Sequence, residues 1–293
     1  MDRLETIAEV RGYVRAGKLA RRTVAFVPTM GALHRGHGSC IAVARGLGDV
    51  VIVSIFVNPT QFGPKEDLSK YPRPLEKDIA SCGAWGVDAV FLPDAAEIYR
   101  VEQDVWVEAD RVSKPLCGRT RPGHFRGVAT VVLKLLNIVQ PDTAVFGQKD
   151  AQQAVVIREM VEQLDVPVRL ALAPTVREDD GLAMSSRNAY LSGDERARAP
   201  GIYRALLRGK ELVSKGERDP SCVTGEIRRQ MEANGITEVE YVELVGARDL
   251  STRRRVEGRV LIAAAARVGT TRLIDNVVLD VRENGTIEET MLF

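Results

Sequence analysis

The amino-acid sequence predicts an α/β fold class, a doubly wound parallel sheet, joined to a smaller α+β portion toward the C-terminal end. Three observations predict it. Short apolar runs rich in β-branched residues alternate with helical periodicity from residue 4 to about residue 175, the pattern of β-α units. The character changes after Asn188, where two helical patterns precede three strand-like runs. A chain of 293 residues also lies near the size, roughly 250 to 300 residues, at which a single core stops growing. Two unequal domains are therefore expected, 1–176 and 177–293.

In order, strand-like runs fall at 24–27, 50–56, 89–92, 143–146 and 166–172, with helical patterns at 75–84, 128–139 and 150–164. The last helix opens on Asp150, and an acid suits a helix N-terminus because the helix dipole is positive there. Beyond Asn188 the periodicity predicts helices at 195–215 and 221–234, then strands at 238–245, 259–268 and 271–278. Gly269-Thr270 between the last two fits a tight hairpin turn. There is no internal repeat, low-complexity tract or long linker.

Bulk properties exclude several function classes. No apolar run approaches the roughly 20 residues a membrane helix needs. The opening Met1-Asp2-Arg3-Leu4-Glu5 mixes charge signs where a secretory signal would be basic and then apolar, so a cytoplasmic location is expected. With 41 basic and 40 acidic residues the chain has no long-range field for a polyanion, and nucleic acid is not expected as a partner. Arg253-Arg254-Arg255 reads as a solvated turn. Cys40, Cys82, Cys117 and Cys222 show no C-x-x-C spacing, which argues against a zinc ribbon or a redox pair.

Four segments could carry chemistry. The first is Pro28-Thr29-Met30-Gly31-Ala32-Leu33-His34-Arg35-Gly36-His37, a Gly-rich turn between an apolar strand run and a helix start, where α/β proteins hold phosphates. His34 and His37 at i, i+3 share a helix face, so both imidazoles and the first-turn amides can point at one anion. Zinc is the weaker reading, since helical metal pairs prefer i, i+4 and no third ligand is placed. The second is Val57-Asn58-Pro59-Thr60-Gln61-Phe62-Gly63, beyond the carboxyl end of a strand, where Asn58 and Gln61 could bond a small polar substrate; Asn-Pro is equally a common turn starter.

The third is Phe146-Gly147-Gln148-Lys149-Asp150-Ala151-Gln152-Gln153. Here Gly147 would admit a ligand to the backbone, Lys149 would supply a cation for phosphate, and Asp150 would either accept from a ribose hydroxyl or simply cap the helix. The fourth is Met184-Ser185-Ser186-Arg187-Asn188, two hydroxyls and a guanidinium that could clamp a phosphate. No Cys or Ser nucleophile with a nearby base is visible, which fits an intermediate held without a covalent bond to the enzyme.

Taken in order with Tyr71-Pro72-Arg73, Arg121-Pro122-Gly123-His124-Phe125, Pro174-Thr175-Val176-Arg177 and Thr271-Arg272-Leu273-Ile274-Asp275-Asn276, these segments resemble the pantothenate synthetase (pantoate–β-alanine ligase) family along nearly the whole chain. The resemblance implies a Rossmann-like domain over 1–176 that binds ATP and pantoate, a smaller lid over 177–293, a homodimer, and Mg2+-dependent use of ATP. It implies a pantoyl adenylate that β-alanine converts to pantothenate, with release of pyrophosphate and AMP.

By matched position, Met30, Gly31, Ala32, Leu33, His34, Arg35, Gly36 and His37 would line the ATP site, with His34 and His37 on the phosphates and His37 the catalytic acid. Gly147, Gln148, Lys149, Asp150, Val176, Met184, Ser185, Ser186 and Arg187 would complete nucleotide binding, Lys149 with a catalytic part. Gln61, Gln153 and Asn58 would serve pantoate and β-alanine. No metal ligands are indicated. Two positions depart from the family pattern: Gly38 stands where a larger apolar residue is usual, and Ala151 where an aromatic residue is usual.

Two other readings compete. A nucleotidyltransferase acting on a phosphorylated acceptor would want more cations than the amides of Gln61 and Gln153 offer. A nucleotide-sensing module would leave those acceptor-side residues without purpose.

Overall fold

Val24–Thr29 and Val50–Ile55 consist almost wholly of β-branched and aliphatic residues that are buried without alternation, as the interior strands of a parallel sheet must be when helices cover both faces. The computed structural model describes residues 1–64, 66–99, 102–282 and 285–293. Strands β1 (Asp2–Leu4), β2 (Val24–Thr29), β3 (Val50–Ile55), β4 (Ala89–Phe91), β5 (Thr143–Gly147) and β6 (Arg169–Ala173) form one six-stranded sheet in the order β1-β4-β3-β2-β5-β6. All neighbours are parallel. The strand order reverses between β2 and β5, and the crevice beyond the carboxyl ends at such a switch point is where open α/β sheets bind ligands.

In chain order the helices of this part of the sequence are α1 (Ile7–Leu19), α2 (Arg35–Arg45), α3 (Leu75–Ala84), the one-turn α4 (Ala95–Ile98), α5 (Asp110–Ser113) and α6 (Cys117–Thr120), then α7 (His124–Val139) and α8 (Ala151–Gln163). Helix α2 buries Cys40, Ile41 and Ala44 in a cluster with Val27, Val51, Val53 and Val145 of the sheet, which seats its N-terminus at the end of β2.

The chain forms two compact units. One comprises Met1–Ser113, Arg121–Gly147 and Val156–Ala173; the other comprises Lys114–Thr120, Gln148–Val155 and Pro174–Phe293. The second holds α9 (Gly193–Arg198), α10 (Gly201–Ser214), α11 (Pro220–Ala233) and an antiparallel sheet of β7 (Glu238–Gly246), β8 (Gly258–Val268), β9 (Thr271–Val281) and β10 (Ile287–Glu289), ordered β10-β9-β8-β7. Its core joins Ile202, Leu206 and Ile227 of the helices to Ile262, Ala264 and Val277 of the sheet. The expected hairpin is present: Val268 pairs with Thr271, and Gly269 takes φ +60°.

Several elements differ from expectation, and three of the differences have a plain local cause. The helix expected over 195–215 is two helices, because Pro200 has no N–H and cannot continue the ladder. The strand expected from 166 begins at Arg169, since Pro167 lacks a donor and Asp165 ends the preceding helix at φ +48°. Strand β1 was not expected, since only one of its three residues, Leu4, is apolar and buried.

Candidate active site

The turn from β2 into α2 is built from its own polar groups and a few that come from elsewhere in the chain, chief among them one acid. Gly31 sits at φ +80° and Ala32 at φ +50°, a left-handed pair that only the first residue adopts without strain. A Cβ on Gly31 would lie 2.9 Å from Asp78 Oδ2 and 3.0 Å from Ile55 Cγ2, so space as well as conformation demands glycine. Asp78, 1% exposed on α3, accepts from the Ala32 and Leu33 N–H groups at 2.8 Å each. The Gly31 N–H donates to Thr29 Oγ1 at 3.2 Å, and that hydroxyl donates to the Ser54 carbonyl at 2.7 Å.

His34 is the N-cap of α2 and forms a reciprocal box with His37. The Gly36 N–H donates to His34 Nδ1 at 3.1 Å, and the His34 N–H donates to His37 Nδ1 at 3.2 Å. Histidines here take the places that Ser/Thr and Glu hold in the ordinary capping box. Since each Nδ1 accepts, each neutral ring carries its proton on Nε2, and the rings stand with centroids 4.2 Å apart.

Most of the amides expected to face an anion have partners within the protein. Amides of Gly31, Ala32, Leu33, His34 and Gly36 bond side chains of the protein, and that of His37 bonds the His34 carbonyl. Leu33 itself is a core residue, 8% exposed. The imidazoles are the side-chain groups this turn can offer a phosphate.

Gly38, the first departure from the family pattern, also finds its reason. A Cβ there would meet the Trp85 ring at 3.1 and 3.2 Å, so the indole occupies the volume of a larger side chain.

The Asn58–Gln61 segment is a 3-10 turn, Pro59–Gln61, capped by Asn58. Asn58 is 1% exposed and spends its whole amide within the protein. Its Nδ2 donates to Gln61 Oε1 at 3.1 Å and to the Gly127 carbonyl at 3.3 Å, while its Oδ1 accepts from Thr60 Oγ1 at 3.0 Å and Tyr99 OH at 2.7 Å. Asn58 therefore orients Gln61 and is not itself presented to a substrate. Helix α7 lies so close that a Cβ on Gly127 would collide with the Thr60 carbonyl.

Gln61 donates from Nε2 to Met30 Sδ at 3.0 Å. Its carbonyl accepts from His124 Nδ1 at 2.8 Å, and His124 Nε2 lies 2.9 Å from Arg121 NH1. A carbonyl can only accept, so the His124 proton is on Nδ1 and Arg121 donates to Nε2. Arg121 also grips Glu66 with two bonds of 2.7 Å. Burial pushes the Glu66 carboxyl up, but the Arg121 bonds and charge outweigh it and hold it below the ordinary value.

In the second unit, Gln148–Asp150 is a 3-10 turn leading into α8. Lys149 Nζ lies 3.9 Å from Asp150 Oδ1, the lysine one-fifth and the aspartate half exposed. Gln148, expected on ATP, is instead buried, with Oε1 accepting from the Leu292 N–H at 3.0 Å and Nε2 donating to the Thr290 carbonyl at 3.3 Å. The two following glutamines divide their tasks. Gln152 is buried and ties down the 115–117 segment, accepting from the Cys117 N–H at 2.9 Å and donating to the Pro115 carbonyl at 2.7 Å. Gln153 is half-buried, and its side chain makes no hydrogen bond among the described residues. Ala151 is buried at the start of α8.

The fourth segment lies in the same unit. Ser185 caps the 3-10 turn Ser186–Tyr190, its Oγ accepting from the Arg187 N–H at 3.3 Å, which leaves the hydroxyl proton to be donated. The Met184 N–H donates to the Val176 carbonyl at 3.0 Å, and Asn188 Nδ2 donates to Glu178 Oε1 at 3.0 Å and to the Ala183 carbonyl at 3.1 Å. Arg177 forks onto Asp275 at 2.7 and 3.0 Å and stacks on Tyr203, 3.4 Å from the ring centre. Burial pushes the Asp275 carboxyl up, and the Arg177 fork works against it.

Sequence reasoning missed Asp78, which locally is one of two acids, with Glu76, in the first turn of α3, where an acid is ordinary. It noted the 121–125 and 271–276 motifs without giving them tasks.

Comparison with known proteins agrees with this architecture. The family model described as "Pantoate-beta-alanine ligase" matches residues 2–278. A pantothenate synthetase from Moorella thermoacetica is 50% identical over 283 residues, covering 97% of this chain and 100% of that protein. The crystal structure of pantothenate synthetase from Thermus thermophilus superposes with a TM-score of 0.86 at 42% identity, covering 94% of this chain and 98% of that one. That of pantoate-beta-alanine ligase from Francisella tularensis, complexed with beta-gamma ATP and beta-alanine, superposes with a TM-score of 0.78 at 34% identity, covering 94% and 97%. The chain belongs to the pantoate-beta-alanine ligase family.

Proposed function

We propose that this protein is an AMP-forming ligase that condenses (R)-pantoate with β-alanine to give pantothenate, a step of vitamin B5 and coenzyme A biosynthesis, through a pantoyl adenylate. The observation that carries the reading is the two-histidine cap: both Nδ1 atoms accept from the backbone, so two Nε2–H donors are held side by side, suited to phosphate oxygens. The Francisella tularensis relative, complexed with ATP and β-alanine, supports the same substrates here.

In the first half-reaction a pantoate carboxylate oxygen attacks the α-phosphorus of ATP, and the bond to the bridging oxygen of pyrophosphate breaks. His34 and His37 hold the phosphates, with His37 the acid toward the departing oxygen. Lys149 stabilises the growing negative charge together with Ser185, Ser186 and Arg187. Gln61 and Gln153 hold pantoate, with Gln61 also meeting β-alanine; such positioning is worth roughly 7 to 11 kcal/mol. Asn58 acts through Gln61, and Gln148 through its backbone.

Met30, Gly31, Ala32, Leu33, Arg35 and Gly36 shape the nucleotide pocket. Gly147 admits the ligand, Val176 and Met184 line it, and Asp150 accepts from the ribose. A Cβ at Gly147 would meet only Cys40 Sγ, at 3.8 Å, so the protein itself does not require glycine there. In the second half-reaction the β-alanine amine attacks the acyl carbon, AMP leaves and the amine sheds its proton. The anhydride is held without a covalent link, so water must be kept out. We assign 1–176 to ATP and pantoate binding and 177–293 to the lid.

Mg2+ would arrive on the triphosphate, where such an ion is held largely by phosphate oxygens and waters with one or two protein carboxylates. With Asp150 given to the ribose, the ion would rest on phosphate oxygens and waters and would neutralise phosphate charge. We further assign the protein to the cytoplasm, as a homodimer. No helix among the described residues is long and apolar enough to cross a membrane.

The test is incubation with ATP, Mg2+ and D-pantoate, with and without β-alanine, followed by mass detection. Pantoyl adenylate without β-alanine and pantothenate with it are expected. Pyrophosphate release that requires a phosphorylated acceptor and ignores pantoate would overturn the reading in favour of a nucleotidyltransferase.

A further inference from the structure

The motif Thr271-Arg272-Leu273-Ile274-Asp275-Asn276 on β9 has no part in the chemistry above, and neither have the last residues of the chain, yet both converge on one turn. The Gln148–Asp150 turn is a single 3-10 turn, a conformation with poor internal hydrogen bonding that persists only in short pieces. What holds it comes from far away in sequence. Asn276, 5% exposed, donates from Nδ2 to two consecutive carbonyls of the turn, Gln148 at 3.1 Å and Lys149 at 2.9 Å. The side chain of Gln148 is pinned to Thr290 and Leu292 as described, and that tail is itself fixed by the Thr290 N–H on the Val278 carbonyl at 3.0 Å and by Leu292, which is 3% exposed.

The orientation of the Asn276 amide is unambiguous. Its Oδ1 is buried with no hydrogen-bond partner among the described residues; turning the amide over would set that oxygen against two carbonyls. Its neighbour Asp275 is locked by the Arg177 fork and accepts from the Asn276 N–H at 2.8 Å.

We propose that Asn276 and the C-terminal residues Thr290 and Leu292 form a positioning clamp on the Gln148–Lys149 turn, setting the backbone from which the Lys149 ammonium group reaches the triphosphate. The clamp rests on the reading that Lys149 binds phosphate. A lysine is a point charge on a flexible stem, so the placement of its Cα governs how much of its freedom is lost on binding. Misplacement by about 1 Å is enough to cost on the order of a hundredfold in rate.

A double-mutant cycle on pantoate-dependent ATP–pyrophosphate exchange tests this. Asn276→Leu and Gln148→Met replace each amide by an apolar side chain of similar branching and remove the bonds. Each is expected to lower kcat/KM for ATP by roughly three- to tenfold per hydrogen bond lost, while KM for β-alanine in the full reaction stays within about twofold. Placed in a Lys149→Ala background, either substitution is expected to add nearly nothing, because the group it positions is gone.

Losses that multiply in both backgrounds, or unchanged ATP constants beside a defective Lys149→Ala enzyme, overturn the clamp and leave the functional reading intact. Wild-type exchange by Lys149→Ala alone overturns the phosphate role of Lys149 and the clamp with it. If a core variant fails to fold, Thr290→Pro, at a half-buried position, which deletes the N–H that ties the tail to the Val278 carbonyl, is read by the same criteria.

Discussion

The two motif-bearing turns that follow parallel strands, 28–37 after β2 and 147–153 after β5, solve the same problem in opposite ways. In the first, the histidines that would meet phosphate are held by the backbone of their own cap, within three positions; from elsewhere come Asp78, 45 and 46 positions away, and the nearer Ser54 carbonyl and Gln61 amide. In the second, four hydrogen bonds that span 127 to 144 positions hold the turn beneath Lys149. Aromatic rings pre-oriented by a local cap tolerate motion of distant parts. A lysine fixed through distant strands reports on the packing of its whole unit.

That contrast can be broken at its strongest point first. His37→Ala removes both an Nε2–H donor and half of the cap, and is expected to lower pantoate-dependent pyrophosphate exchange by about 10² to 10³, the scale of one lost transition-state donor. An alanine enzyme with full exchange would contradict the phosphate role. Asp78→Ala tests whether the first turn is as local as it looks. It strands the N–H groups of buried Leu33 and half-buried Ala32 and should lower unfolding free energy by on the order of 3 kcal/mol in urea titration, with a parallel rise in KM for ATP; a change below about 0.5 kcal/mol would show that the turn holds itself.

Gly38→Leu restores the size usual in the family but drives a side chain into Trp85, and overpacking of this kind costs about 1 to 3 kcal/mol. In the Trp85→Ala background the same substitution is expected to stabilise. Additive losses would mean that the indole is not the reason for the glycine.

The smallest effect concerns the Glu66–Arg121–His124 chain behind Gln61. The Glu66 carboxyl is held below its ordinary value of 4.5, so its contribution is fully present above about pH 4.5 and is lost as pH falls through the lowered folded value. The pair is partly exposed, so Glu66→Gln should cost under about 1 kcal/mol at pH 7. The gap in melting temperature between wild type and variant is expected to close on acidification below 4.5; a gap that is constant from pH 7 to pH 3.5 would rule out the ion pair as its source.

Much of the site was legible because it follows strand ends. Periodicity placed the interior strands β2, β3 and β5, and the residues just past them could be named. The tasks within each segment were less legible. Nothing local distinguishes Gln152, which ties down the 115–117 segment, from Gln153 beside it. Asn58 and Gln148 looked like ligand-facing amides and are buried, because satisfying a buried backbone group requires a side chain from somewhere, and its source depends on packing.

The order of apolar runs, the histidine spacing and the positions of proline and glycine determined, by short-range physics, an alternating α/β chain whose motifs stand at strand ends, and Pro200 alone dictated a helix break. Only the tertiary structure decided which polar groups remain to meet a substrate. Asp78, Arg121, Asn276 and Leu292 act across dozens to more than a hundred positions, and hydrogen bonds of that reach exist only once hydrophobic packing has brought the partners together.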